Sequence, residues 1–290
     1  MAKRVLLIGM NTFDSGKTQV ALMMSKTLAE SDYSVEYFKP LSGHNYWYHY
    51  KHTKFCLENG ILASRDAMRV RKFLEPKSPI ELANPVHALF VPMRLEKPLQ
   101  TMTNTLGLAG TSSVLTMKRF SRPVKSSVDT TVLLAERLLE DERLIINQEE
   151  VGKLSRGAAI QSVDSLEEVQ EYENSNFEKH VSDSFAAVER LADITIIEGF
   201  NNAAWPWDGL DKADAVLLVG PAHVFSYDPK KFRKAAYLMK WGNLPINEVT
   251  FGRISDLLKP FARVQIKPES PLTMKQLEHL GISFRTGKND

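Results

Sequence analysis

Arg4-Val-Leu-Leu-Ile-Gly-Met-Asn-Thr-Phe-Asp-Ser-Gly-Lys-Thr18 reads as an apolar strand that runs into a phosphate-binding turn and then a helix. Val5 to Ile8 form a continuous apolar run, the pattern of a parallel strand buried on both faces. Downstream, Val20, Met23, Met24 and Leu28 recur at helical spacing. The turn between them therefore sits at a helix N-terminus, where free backbone N–H groups and the helix dipole favour a polyphosphate. Asn11, Thr12, Phe13, Asp14, Ser15, Gly16, Lys17, Thr18 and Gln19 are the expected phosphate-contacting residues. Lys17 would neutralise the outer phosphates, and the Thr18 hydroxyl would ligate Mg2+. A G-x-x-x-x-G-K-[ST] loop needs glycine at position 11, but Asn11 stands there and the nearest glycine is Gly9, so the loop is a longer variant. Asparagine tolerates left-handed backbone better than most residues, which keeps a cradle feasible.

Working outward, strands are expected at Val5 to Gly9, Val35 to Phe38, Ser113 to Thr116, Ile194 to Glu198, Ala215 to Val219, Glu248 to Phe251 and Arg263 to Ile266, with helices between most of them. That alternation predicts an α/β fold, a mostly parallel sheet flanked by helices of the P-loop NTPase type, with ligands at the carboxyl ends of the strands. The length of 290 residues fits one domain over 1–290. Residues 118–191 depart from the rhythm: Val132, Leu133, Leu134, Leu138 and Leu139 suggest helix, and polar sequence follows, so the segment is expected to be a helical insertion or lid. The segment from Lys267 to Gly281 suggests a turn followed by a short helix.

Composition excludes several classes. Lys+Arg and Asp+Glu nearly balance at 37 and 35, so bulk charge demands neither a nucleic acid nor an acidic membrane. One cysteine, Cys56, excludes an intrachain disulfide framework and a Cys-rich zinc site. No apolar run is long enough to span a bilayer and no signal-type segment opens the chain; the expected location is cytoplasmic.

Further candidates lie at strand ends. Lys39 follows the second strand and would add a cation beside the phosphate loop; Asp66 opens a helical stretch as a possible Mg2+ carboxylate; Glu198 ends the Asp193-Ile-Thr-Ile-Ile strand, where a metal-binding carboxylate would meet the loop. The ordered set Gly9, Asp14-Ser15-Gly16-Lys17-Thr18, Lys39-Pro40-Leu41-Ser42-Gly43, Asp66-Ala67, Asn84-Pro85 and Glu198-Gly199 resembles the dethiobiotin synthetase family and its relatives among the cobyrinate amide synthases. The resemblance covers the first hundred residues and the strands after Asp193. It implies a homodimeric P-loop enzyme that uses Mg-ATP to phosphorylate a carbamate formed from CO2 and a diamine, followed by ring closure. By position it gives Lys17 and Thr18 the phosphate-loop roles, Thr18, Asp66 and Glu198 the Mg2+ roles, Lys39 the transferring phosphoryl group, and Ser42 a contact to the small-molecule substrate.

Two departures place the substrate in question. Glu198-Gly199-Phe200-Asn201-Asn202 replaces the family's small Glu-Gly-Ala-Gly-Gly turn, and His44-Asn-Tyr-Trp-Tyr-His-Tyr-Lys-His-Thr53 follows Ser42 and Gly43. This aromatic and histidine loop is expected to form a pocket wall or dimer contact; zinc binding lacks ligands at suitable spacing, and a base-stacking role is the lesser reading. Trp205-Pro206-Trp207 is expected in the same wall; a hydrophobic plug that fixes a loop is the plainer reading, and the two are not exclusive. No Asn-Lys-x-Asp guanine motif occurs, and ATP rests on the resemblance. The rival reading is a P-loop switch protein whose nucleotide state governs the binding of a partner protein through residues 118–191.

Overall fold

Four residues that are fully buried on alternating faces, Val5, Leu6, Leu7 and Ile8, make β1 (Lys3–Gly9) a strand covered on both sides. In the computed structural model, which describes residues 2–95, 113–267 and 270–284, β1 pairs in parallel with β8 (Ile194–Glu198) on one side and β9 (Ala215–Gly220) on the other. Beyond β8 lies parallel β2 (Val35–Phe38); beyond β9 lie antiparallel β10 (His223–Tyr227) and β11 (Ala262–Gln265). The six-stranded order is β11-β10-β9-β1-β8-β2.

The chain divides into two compact units, and this sheet belongs to the first, Met1–Pro40, Asp66–Ala83 and Val181–Asp290. On one face Val5, Leu7, Ile196 and Leu217 share a core with Val20, Met24 and Leu28 of α1 (Lys17–Ala29), with Ala67 and Val70, and with Leu277 of the C-terminal helix Met274–His279. On the other face the Phe38 ring packs against Phe185 and Trp207, at centroid distances of 5.1 and 5.6 Å.

The second unit, Leu41–Arg65 and Asn84–His180, carries a five-stranded mixed sheet in the order β3-β4-β5-β6-β7: Leu41–Asn45, Val86–Pro92, Ser113–Val124, Ser127–Leu134 and Ala159–Ser162. The β3/β4 and β6/β7 pairs are parallel, and the two between are antiparallel. Its core joins Leu89, Val91, Met117 and Val132 to Cys56, Leu62, Leu144 and Val151. The protein is thus α/β with two mixed sheets flanked by helices.

Three expectations are corrected. Residues 118–134 are strand, not helix: the density of β-branched side chains at Val128, Thr130, Thr131 and Val132 favours an extended chain, and Val132, Leu133 and Leu134 are buried together because that end of β6 is covered on both faces. Helix does follow, briefly at Glu136–Glu140 and Gln148–Leu154 and then over 24 residues at Leu166–Glu189. Residues 248–251 form no strand; a 3-10 turn at Ile246–Glu248 and a short helix at Phe251–Ile254 flank a single backbone bridge between Ala203 and Thr250. β3, β4, β6, β7 and β10 were not anticipated, and residues 268–269 of the expected C-terminal turn lie outside the described residues.

Candidate active site

The register of the parallel strands brings three chain segments to one edge of the first sheet. Leu7 of β1 lies opposite Glu198, the last residue of β8, and Phe38 of β2 lies opposite Ile197. Gly9, Glu198 and Lys39 therefore leave neighbouring strands at the same carboxyl end, the end at which ligands meet open α/β sheets. β8 intervenes between β1 and β2, so Lys39 stands beside Glu198 rather than directly beside the first strand.

The loop from Met10 to Gly16 closes on itself. The Ser15 hydroxyl accepts from the Asn11 N–H at 3.0 Å and donates to the Asn11 carbonyl at 2.7 Å, which fixes a tight ring while leaving Asn11, Thr12, Phe13 and Asp14 exposed. The left-handed residues are Asp14 and Gly16, with φ of 53° and 86°, and not Asn11. Gly16 caps α1 in that conformation, so any side chain there is strained. Gly9 is required for a different reason: a Cβ would come within 2.7 Å of the Asn201 carbonyl and 2.8 Å of both Lys17 Nζ and Ser15 Oγ. Lys17 Nζ folds over this glycine and donates to the Asn201 carbonyl at 2.5 Å. Burial is the main force lowering the Lys17 pKa, and the nearby Lys39 adds to it against the pull of Glu198 and Asp66.

Glu198, 1% exposed, collects three donors. The Thr18 hydroxyl donates to Oε1 at 3.0 Å, Lys39 Nζ to Oε1 at 2.7 Å, and the Tyr37 hydroxyl to Oε2 at 2.7 Å. Lys39 Nζ also donates to Asp66 Oδ2 at 2.6 Å, so one ammonium bridges both carboxylates. Burial works against the charge on Lys39, but Glu198 and Asp66 overcome it and hold the pKa above the ordinary lysine range. Tyr37 is held well above its usual value by burial and then by Glu198, so its hydroxyl remains a donor. Thr18, Glu198 and Asp66 offer hard oxygen atoms of the kind Mg2+ takes. Among the described residues no group of three or more His, Cys, Asp or Glu side chains forms a ready-made cation cage.

Lys17, Thr18, Lys39, Asp66 and Glu198 are thus brought together. Tyr37 and the Asn201 carbonyl join them unannounced; strand alternation would have hidden Tyr37 as a core residue, and a carbonyl has no signature. Trp205 and Trp207 are fully buried, with Trp205 Nε1 donating to the Leu210 carbonyl at 3.0 Å, as a hydrophobic plug would be.

Ser42 lies in the second unit, where it is buried in a chain of polar contacts. Its hydroxyl donates to Asn84 Oδ1 at 3.1 Å and meets His87 Nδ1 at 2.6 Å, while His87 Nε2 meets His44 Nδ1 at 2.7 Å. The amide of Asn84 is oriented by the Ser64 N–H donating to Oδ1 and by its own Nδ2 donating to the Val86 carbonyl. Ser42 has one hydrogen and spends it on Asn84, so, with both rings neutral, His87 Nδ1–H donates to Ser42 and His44 Nδ1–H donates to His87. His44 Nε2 is left as a buried lone pair without a partner. Burial, then His52, His49 and Arg65, push the His44 pKa down to about 3. In the following turn, Tyr46 is buried while Trp47 and Tyr48 are 64% and 67% exposed.

No protein-family model, curated protein or solved structure matches the chain. No helix among the described residues is long and apolar enough to cross a membrane.

Proposed function

We propose that the chain is a Mg-ATP-dependent enzyme of the P-loop type, resembling dethiobiotin synthetase, that phosphorylates a carboxylate or carbamate of a small molecule ahead of ring closure or amide formation. The observation that carries this reading is that Thr18, at the start of α1, bonds a buried Glu198 that Lys39 ties to Asp66, while the neighbouring Lys17 reaches the Asn201 carbonyl just beyond Glu198. Phosphoryl transfer is chiefly positioning plus neutralisation of charge, and this edge supplies two lysines for that work.

Lys17 would leave the Asn201 carbonyl to meet the outer phosphates, a short swing that exchanges one oxygen acceptor for charged ones. Thr18, Asp66 and Glu198 would hold Mg2+, which when bound supplies charge neutralisation between the phosphates. Tyr37 would keep the Glu198 carboxylate in one orientation, and Lys39 would face the transferring group. Ser42 is not given a step, because its hydroxyl is committed to Asn84 and His87. The substrate is a small molecule bearing an amine or carboxylate, and a homodimer and a cytoplasmic setting are carried over from the resemblance and the composition.

The test is ADP release from Mg-ATP by purified protein, with and without diaminopelargonate plus bicarbonate, using Lys17→Ala as the blank. Stimulation by the diamine that vanishes in the variant supports the reading in its specific form. Turnover lost in the variant but indifferent to the diamine keeps the nucleotide site and moves the substrate elsewhere. ADP release by Lys17→Ala at the native rate removes the loop from the chemistry.

A further inference from the structure

A cleft rich in lysine and arginine lies at the other end of the first sheet. β9 begins at Ala215, the residue paired with Val5, and the Asp214 N–H donates to the Arg4 carbonyl at 2.8 Å, so the segment 211–214 sits at the amino ends of the parallel strands. β10 runs antiparallel, pairing Tyr227 with Val216, and delivers the helix Pro229–Leu238 to that same end. Between them is a cleft of about 850 Å3, within the range of small-molecule sites. The phosphate loop occupies the carboxyl end, so the two features are separated by the length of the strands.

The helix sets its residues by periodicity. Phe232, Ala235 and Ala236 are buried, while Lys230, Arg233, Lys234 and Tyr237, three or four positions apart, share the face that lines the cleft. Lys212, from the segment 211–214, also lines the cleft. Three carboxylates also line the cleft: Asp211 is paired with Arg4, while Asp214 Oδ2 accepts the Arg4 backbone N–H at 2.8 Å and Asp228 caps the helix by accepting the Lys231 N–H at 2.8 Å, so the four cations of the lining face two carboxylates held only by backbone N–H groups. Lys212, Lys230, Arg233 and Lys234 make no ion pair among the described residues. The helix N-terminus is spent on its own cap, so the unspent positive charge belongs to side chains.

Arg233 is also held in place. Its guanidinium lies 4.7 Å from the centroid of the Tyr237 ring, and its Nε is buried with no hydrogen-bond partner. The Tyr237 hydroxyl in turn donates to the Asp208 carbonyl at 3.3 Å, and Lys240 pairs with Asp208 at 2.9 Å. A stacked guanidinium with an unused N–H, beside three free ammonium groups in a concave site, is suited to bidentate recognition of an anion. Leu238 and Pro229 add apolar wall, which favours an organic molecule over a bare ion.

We propose that this cleft binds a small multivalent anion of the phosphate-ester type, at a site distinct from the phosphate loop. Concavity and size favour a small molecule over a polymer, which would read a flat or continuous cationic stripe.

The experiment is calorimetric titration of Lys17→Ala protein, in which the phosphate loop is disabled, with sodium tripolyphosphate and separately with fructose 1,6-bisphosphate. The expected result is one site that weakens as salt is raised, and a loss of at least tenfold in affinity in Lys230→Gln/Lys234→Gln, which alters only exposed positions. Arg233→Lys, which keeps the charge but not the fork, should weaken binding as well. Absence of saturable binding at millimolar ligand, or equal affinity in the lysine variant, overturns the proposal. Binding of single-stranded oligothymidylate or phosphatidylserine vesicles that depends on the same lysines and is not displaced by tripolyphosphate also overturns it, since the cleft would then serve a macromolecular surface.

Discussion

Lowering the pH from 7 to 5 should destabilise this protein by an amount that can be assigned to one side chain, His44. The ring is 5% exposed, donates through Nδ1 to His87, and carries an Nε2 lone pair with no partner. Its folded pKa is pushed down to about 3, by burial first and then by His52, His49 and Arg65, whereas in the unfolded chain it returns to about 6.5. The sign follows: between those values the unfolded state binds the extra proton, so stability rises with pH up to the unfolded pKa and falls as pH drops below it. At pH 5 the gap is roughly 1.5 pH units below the unfolded pKa, worth about 2 kcal/mol of lost stability relative to pH 7.

His44→Asn isolates the effect, because the Asn side-chain amide can place an N–H where Nδ1 was and still donate to His87 without titrating. Urea unfolding of both proteins by circular dichroism, at pH 7 and pH 5, should show the wild type losing about 2 kcal/mol more than the variant over that interval. Equal losses would refute the reasoning, since the histidine would then have to be charged or solvated in the folded state. A larger loss in the variant would refute the deduced direction of the hydrogen bonds.

Two further perturbations probe the first unit. Lys39→Met leaves the buried Glu198 carboxylate facing the half-buried Asp66 without the ammonium between them and should cost about 3–5 kcal/mol, while adding Glu198→Gln should recover much of that; additive losses in a double-mutant cycle, measured by denaturant midpoints, would show that the two side chains do not act as a pair. Gly9→Ala should lower stability and remove nucleotide affinity by at least tenfold, because the new methyl meets the Asn201 backbone carbonyl as well as Lys17 Nζ and the Ser15 hydroxyl; an unchanged denaturant midpoint with unchanged binding of a fluorescent ATP analogue would show that the loop has room that the distances deny.

How much of this was legible follows from which physical signals are local. β1 and β9 were readable because a strand buried on both faces is written as an unbroken apolar run, β2 and β8 because only one polar residue interrupts theirs before the charged end, and α1 because its apolar stripe begins beside Gly16-Lys17-Thr18. Lys39, Asp66 and Glu198 were readable as strand-end and helix-start charges, although the strand order that seats Glu198 between the other two segments is a long-range fact. Of the second sheet only the start of β5 was read, because its strands mix buried polar with apolar residues: β3 holds Ser42 and His44, and the rest of β5 holds Lys118, Arg119 and Ser121, all buried. These polar groups sit inside only because partners distant in sequence satisfy them, as Asn84 does for Ser42 and the Leu62 carbonyl for Arg119. The same reasoning explains why the aromatic loop after Ser42 divided into a buried Tyr46 and exposed Trp47 and Tyr48, a distinction that residue type does not carry.

The two buried polar clusters differ in a way that bears on what each is for. In the second unit the Ser42, His87 and His44 relay is neutral, and breaking it leaves an unsatisfied dipole, a cost of about 1–3 kcal/mol. In the first unit Lys39, Asp66 and Glu198 are charged, and a buried ion cluster of this kind is weak as a stabilising device: apolar residues of similar volume commonly serve the fold as well or better. Stability therefore does not explain why a 6% exposed lysine and a 1% exposed glutamate stand at the carboxyl end of a sheet that is otherwise apolar at that depth. On the proposed function, the cost of desolvating them would be recovered when charge develops beside them, the condition that phosphoryl transfer creates. Lys39→Met combined with apolar replacement of both carboxylates should consequently give a protein at least as stable as the original and without turnover, a separation that a purely structural cluster would not produce.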